Sequence, residues 1–123
     1  MIIEIDFDSN EALYMQLRNQ IVLGIATSLL SEGEPLPSVR RLSEDIGINM
    51  HTVNKAYAVL REEGFVRMDH RRGVVVAVDS NHAKALEELQ RNLSVELAIA
   101  ACKGIKKAEV HELIDKIYGD YVG

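Results

Sequence analysis

Three groups of polar and basic residues carry whatever chemistry this 123-residue chain performs. The first is Asn49-Met50-His51-Thr52 with Asn54 and Lys55. Asparagine can pair with adenine through two hydrogen bonds, histidine can donate to or accept from a base edge, and methionine can lie against a thymine methyl. The second is Arg40 with Arg41, and the third is His70-Arg71-Arg72. Arginines of this kind meet phosphate or enter a minor groove, where the negative potential is strongest. Taken singly, an exposed Asn or His is ordinary solvated surface, and a charged turn can simply keep a sheet edge from aggregating. The case for double-stranded nucleic acid therefore rests on the elements that position these groups.

The sequence offers no rival chemistry of comparable weight. No nucleophile, base and acid stand at catalytic spacing, and no glycine-rich phosphate loop appears, so no enzyme activity and no cofactor are expected. His70, His82 and His111 lack metal-ligand spacing with any carboxylate or with Cys102, so no metal site is expected either. Cys102 is the single cysteine. An intrachain disulfide is impossible, and its neighbours Ala98, Ala100 and Ala101 suggest a small buried apolar residue.

The positioning elements can be read from period and caps. A short helix is expected after Pro37, with Ser38 capping its first turn and Val39, Leu42 and Ile46 at helical spacing. Gly47 ends it with the left-handed residue a sharp turn needs. Asn49 then caps a second helix, whose apolar residues Val53, Ala56, Tyr57 and Leu60 recur at i, i+3, i+4 and i+7 until Gly64. That places Met50, His51, Asn54, Lys55 and Ala58 outward, in the N-terminal turns where a recognition helix meets base edges. Thr52 and the amides after Asn49 suit phosphate, because a helix N-terminus favours an anion. Phe65 to Met68 and Val74 to Val78 read as two strands joined by the polar turn Asp69 to Gly73, a hairpin with a basic tip.

Helix, turn, helix and basic hairpin make a winged helix, and several motifs make the resemblance specific. Leu36-Pro37-Ser38-Val39-Arg40-Arg41-Leu42-Ser43, the stretch from Ile48-Asn49 through Thr52-Val53 with Ala56-Tyr57, and Leu60-Arg61-Glu62-Glu63-Gly64-Phe65-Val66 resemble the N-terminal domain of GntR-family transcriptional regulators. The likeness runs over residues 10 to 78, and Tyr14-Met15-Gln16-Leu17 resembles the opening of the family's first helix. Two departures stand out: Glu32-Gly33-Glu34-Pro35 replaces the usual Pro-Gly-Asp, and the wing keeps only Gly73 of its usual Gly-x-Gly. Arg40 occupies the position of a DNA-contacting arginine in the family. The resemblance is nearest to the short, YtrA-like branch, which ends in two helices. It implies a dimeric repressor that occupies an operator, often that of its own operon and of linked transporter genes. The DNA-binding set expected on all these grounds is Ser38, Arg40, Arg41, Asn49, Met50, His51, Thr52, Asn54, Lys55, His70, Arg71 and Arg72.

The remaining chain is read as support. Ile2 to Ile5 suggests a short strand, and Asp8-Ser9-Asn10 a cap for a first long helix. Leu13, Leu17, Ile21, Ile25 and Leu29 mark one face of that helix as far as Leu30, and Gly24 within it suggests close packing against another helix. Ser31 to Pro35 is a loop. Asp79-Ser80-Asn81 separates a DNA-binding domain over 1–78 from a helical segment over 81–123. There Leu86, Leu89, Leu93 and Leu97 form one stripe, Gly104 a break, and Val110, Leu113, Ile114 and Ile117 a second stripe over 108–118. Two such helices cannot bury both faces against each other, so a homodimer is expected. The fold class is mainly α with a small hairpin wing.

Net charge is −5, yet residues 34–78 hold seven of the 14 Lys and Arg and are net +1, against −4 for the preceding 33 residues and −2 for those after. Local basicity of this kind is what phosphate requires. No run is apolar enough to span a bilayer and the acidic start is unlike a signal peptide, so a cytoplasmic location and no membrane partner are expected. A small-molecule effector is not indicated, since two helices cannot enclose a pocket of useful size. The alternative function is a winged-helix module that binds protein and not DNA, which would call for apolar or acidic residues at Met50, His51, Asn54 and the wing. A fragment of a larger enzyme is disfavoured by the closing helical pair.

Overall fold

The computed structural model describes residues 3–121. Its elements in order are α1 (Leu13–Ala26), α2 (Val39–Ile46), α3 (Met50–Glu62), β1 (Val66–Asp69), β2 (Gly73–Val76), α4 (His82–Cys102) and α5 (Lys107–Tyr121). The chain divides after Asp79 into two compact units.

The first unit has one core. Leu17 and Ile21 of α1, Leu42 of α2, Val53, Ala56, Tyr57 and Leu60 of α3, and Val66 and Val76 of the hairpin close around it with Leu30, Leu36 and Ile48. The i, i+3, i+4, i+7 residues of α3 are all buried, as the period requires. Arg18 ties α1 to the end of α3 through a forked pair with Glu63 at 2.8 and 3.1 Å. Both side chains are part-exposed, so the pair is worth no more than about 1 kcal/mol. β1 and β2 pair antiparallel, Val66 against Val76 and Asp69 against Gly73.

Several expectations are corrected. Ile2 lies outside the described residues, and Ile3 to Ile5 forms no strand. Its backbone is satisfied by two glutamines one turn apart on α1. The Glu4 amide donates to Gln20 Oε1 at 2.8 Å, and the Gln20 amide nitrogen donates back to the Glu4 carbonyl. The Asp6 amide donates to Gln16 Oε1 at 2.9 Å, and Gln16 Nε2 donates to the Asp6 carbonyl at 3.0 Å. Side chains thus replace the neighbouring strand that the segment lacks. Asp8-Ser9-Asn10 does not cap α1, which starts behind Ala12 without a side-chain acceptor. Ser9 Oγ is taken instead by the Glu11 amide, 3.0 Å away, the kind of local turn that competes with helix.

The first helix also ends early, at Ala26. Ser28 adopts a left-handed φ of 63°, which turns the chain back. Leu29 is left 76% exposed, and Leu30 returns to the core. Gly24 does admit a close neighbour, but that neighbour is Leu30 and not another helix: a Cβ at Gly24 would stand 3.0 Å from Leu30 Cδ1. The loop before α2 pairs with the outer edge of β2. Gly33 donates to the Val76 carbonyl at 2.7 Å, Val76 to Glu34 at 2.9 Å and Leu36 to Val74 at 2.8 Å, so the loop meets the hairpin in a single bridge, Pro35 opposite Val75. β2 itself stops at Val76, short of the expected Val78.

In the second unit α4 runs as far as Cys102, and α5 extends from Lys107 to Tyr121, beyond the expected 108–118. Asn81 caps α4 by accepting from the Lys84 amide at 3.3 Å. Neither helix has a buried residue within this chain. Cys102 is exposed here, contrary to the buried expectation. No helix of the described residues is long and apolar enough to cross a membrane.

Candidate nucleic-acid interface

The turn between α2 and α3 is built from the residues that the pattern marked. Ser38 Oγ accepts from the Arg41 amide at 3.1 Å, and Gly47 takes φ 71° to end α2. Ser43 Oγ donates to the Ile48 carbonyl at 2.5 Å, bracing the turn from inside. Asn49 Oδ1 accepts from the His51 amide at 2.7 Å. Thr52 already donates to the Asn49 carbonyl at 3.0 Å. The amides of His51 and Thr52 are therefore engaged and not free, and what this terminus offers a phosphate is its dipole.

Tyr57 fixes the angle between the two helices. Its ring is buried, and its hydroxyl donates to the Pro37 carbonyl at 2.7 Å, just before α2 begins. Burial pushes the phenol pKa up, so it stays a neutral donor. Tyr57→Phe is expected to destabilise the first unit by about 1 kcal/mol, the net worth of one such hydrogen bond. For a unit of this size that lowers Tm by roughly 4–8 °C. A thermal melt superimposable on that of the unaltered protein would show that the bond adds nothing.

Outward, α3 presents Met50, His51, Asn54, Lys55 and Ala58, all exposed, with Thr52 half-buried beside them. Lys55 is turned toward α1: its ammonium lies 4.1 Å from the centre of the Tyr14 ring. A cation held over an aromatic face sits in a favourable place already. Asn54 lines a cleft of about 130 Å³ with Val39, Ala58, Arg61 and Met68, between α3 and the hairpin. Such a volume is too small for a typical effector. On α2, Arg40 Nε stands 3.4 Å from Glu44 and Arg41 Nε 3.7 Å from Asp45. Both are exposed i, i+4 pairs, weak enough in water to be exchanged for a phosphate.

The hairpin tip is organised by Asp69, which from sequence is no more than part of a turn. Its Oδ1 accepts from the Arg71 amide at 2.9 Å and the Arg72 amide at 3.1 Å. Gly73 closes the tip with φ 75°. The Arg71 amide, then the Arg72 amide, hold the Asp69 carboxylate below the usual range, and the Arg72 guanidinium adds to this. A depressed pKa means that this contribution is complete above the unfolded value of about 3.9 and lost only as pH falls through the lower folded value. The tip is therefore fully braced at neutral pH. An aspartate opening a tight turn is a known turn signal, and it could have marked this residue.

The residues expected at the interface thus lie on three neighbouring elements of the first unit: the start of α2, the first turns of α3, and the hairpin tip. The leucines expected to pair two copies lie on the second unit, where Leu86, Leu89, Leu93 and Leu97 line an open apolar groove of about 330 Å³ along α4. On α5, Leu113, Ile114 and Ile117 are exposed and Val110 is half-buried. Among the described residues no three His, Cys, Asp or Glu side chains gather as a metal set.

Comparison with known proteins finds one family over most of the first unit and relatives that run across both units. The profile described as bacterial regulatory proteins, gntR family, matches residues 10–76. The HTH-type transcriptional repressor YtrA of Bacillus subtilis is 28% identical over 124 residues, covering 98% of this chain and 95% of its own. A solved structure described as YtrA from Sulfolobus acidocaldarius, a GntR-family transcription factor, is 38% identical with a TM-score of 0.63, over 76% of this chain and 99% of that one. A solved Listeria monocytogenes chain described as a transcriptional antiterminator is 26% identical with a TM-score of 0.89, over 100% and 94%.

Proposed function

The chain belongs to the GntR family of bacterial regulatory proteins, and from that premise we propose that this DNA-binding transcriptional regulator acts as a homodimeric repressor in the cytoplasm. The observation that carries the proposal is the braced α2-turn-α3 unit with its exposed Met50, His51 and Asn54. α3 enters a major groove, with Asn54 and His51 reading base edges and Met50 lying against a methyl group. Arg40, Arg41 and the start of α3 hold the flanking phosphates, and the hairpin tip meets the neighbouring minor groove. A single α3 touches too few base pairs to be selective, so two copies joined through α4 and α5 read an inverted repeat. Repression follows from occupancy, because a protein seated on the operator excludes the transcribing enzyme.

Double-helical RNA is a poor target for such a helix, because its deep, narrow major groove does not admit one. The test is DNase footprinting on the DNA immediately upstream of the chain's own gene. Protection of an inverted repeat, with half-site centres about 10 base pairs or a multiple apart, is the expected result. Binding that is indifferent to sequence, or stronger to an RNA duplex, would overturn the proposal.

A further inference from the structure

The geometry divides the basic residues of the hairpin into two kinds. Arg72 is turned back into the protein. Its Nη1 donates to the Gly33 carbonyl at 2.9 Å, in the turn before α2, and its Nη2 lies 3.5 Å from Asp69 Oδ2. Arg67 Nη1 approaches the same carboxylate at 3.6 Å. Arg67 and Asp69 are two apart on β1 and so share a face of the hairpin. One carboxylate thereby joins the strand end, the two tip amides and, through Arg72, the Gly33 turn. The Arg71 and His70 side chains make no hydrogen bond or ion pair among the described residues, and both are exposed.

From this division we infer that Arg72 is a positioning residue, a strut between the wing tip and Gly33, and that Arg71 with His70 is the group the wing presents to DNA. The inference rests on the DNA-binding reading above and narrows the pair Arg71 and Arg72 to unequal roles. Arginine suits the strut, because its planar fork can satisfy a carbonyl and a carboxylate together, which an ammonium cannot do with the same geometry. A wing held in place before binding loses less freedom when it docks. A guanidinium that stays on Gly33 and Asp69 neutralises no phosphate and so leaves the salt dependence of binding alone.

The test uses the full chain and fluorescence anisotropy on the footprinted duplex and a scrambled duplex across a salt series, with amide hydrogen exchange measured separately without DNA. Arg71→Gln should lower the salt slope by about two units, near 0.9 for each phosphate left without its arginine in the two half-sites. Arg72→Gln should leave the slope unchanged, weaken both duplexes, and speed exchange at the Arg71 and Arg72 amides. Asp69→Asn should speed the same exchange. Arg72→Lys, which keeps the charge and loses the fork, should behave as Arg72→Gln. A fall in slope for Arg72→Gln equal to that for Arg71→Gln would overturn the inference, as would full rescue by lysine. If the unaltered protein ignored the footprinted sequence, the functional reading would fail, and the exchange arm would still decide the strut: tip exchange unmoved by Arg72→Gln would sink it.

Discussion

Replacing Leu89 and Leu93 together by lysine is expected to leave a folded, helical, monomeric protein whose operator affinity has fallen by a factor on the order of 10² to 10⁴. The size of the loss comes from linkage. When two reading units are joined, the second half-site binds as an intramolecular step, and that gain of about 10² to 10⁴ disappears with the joint. Folding should survive, because Leu89 is 49% and Leu93 38% exposed within one chain, so lysine there displaces no packed neighbour. A partner copy is the natural cover for the stripe, since amphipathic helices take most of their stability from burying the apolar face. Sedimentation gives the oligomeric state, circular dichroism the helix content, and anisotropy the affinity. A double variant that still sediments as a dimer would move the interface elsewhere. A monomer with undiminished operator affinity would show that one copy suffices.

Asn54→Ala should cost about 1–3 kcal/mol on the specific duplex, the worth of a good bidentate base contact, and little on scrambled DNA. In affinity that is roughly 5- to 150-fold, by the rule that 1.4 kcal/mol is a factor of ten. The residue is exposed and is not one of the buried residues of α3, so the substitution removes no core packing. The discriminating quantity is the ratio between the two duplexes. If Asn54→Ala weakens both equally, the side chain holds backbone and another outward residue, His51 or Met50, carries the selectivity.

What the sequence makes legible is whatever the chain decides locally. Ser38, Gly47 and Asn49 cap and break helices through groups two to four residues away, so their roles follow from sequence spacing alone. The buried face of α3 is legible for the same reason. The failures share the opposite cause. Gln16 and Gln20 hold the N-terminal segment by reaching across from α1, which no local pattern at Ile3 to Ile5 encodes. At Leu29 the helical period continues while Ser28 has already reversed the chain, so periodicity assigns the wrong leucine to the core. The loop from Ser31 to Pro35 is legible as a loop, but its bridge to β2 at Pro35 is not, because that contact exists only once β2 is present. Arg72 illustrates the same point at the interface. Its sequence neighbours mark a basic tip, and only the return of Gly33, 39 residues away, shows where its guanidinium goes.

The wing keeps only Gly73 of the Gly-x-Gly that the resemblance leads one to expect, and Asp69 explains how the tip closes with one glycine. Two amides gathered on one carboxylate, with Gly73 in the left-handed region, close the tip without a second permissive residue.

The pairing of Gly33 to Leu36 with Val74 to Val76 brings the chain back, after α2, α3 and β1, to the place where it set out. Every residue proposed to face the operator, the hairpin tip included, lies on the excursion between those two stretches. Such an arrangement behaves like a cassette with adjoining ends. The outward positions of α2 and α3 can be exchanged for those of a relative, and the α1 scaffold and the strand closure that receive them need not change. On the proposed reading of α3, a new operator preference asks for a few altered outward side chains, with the frame inherited whole.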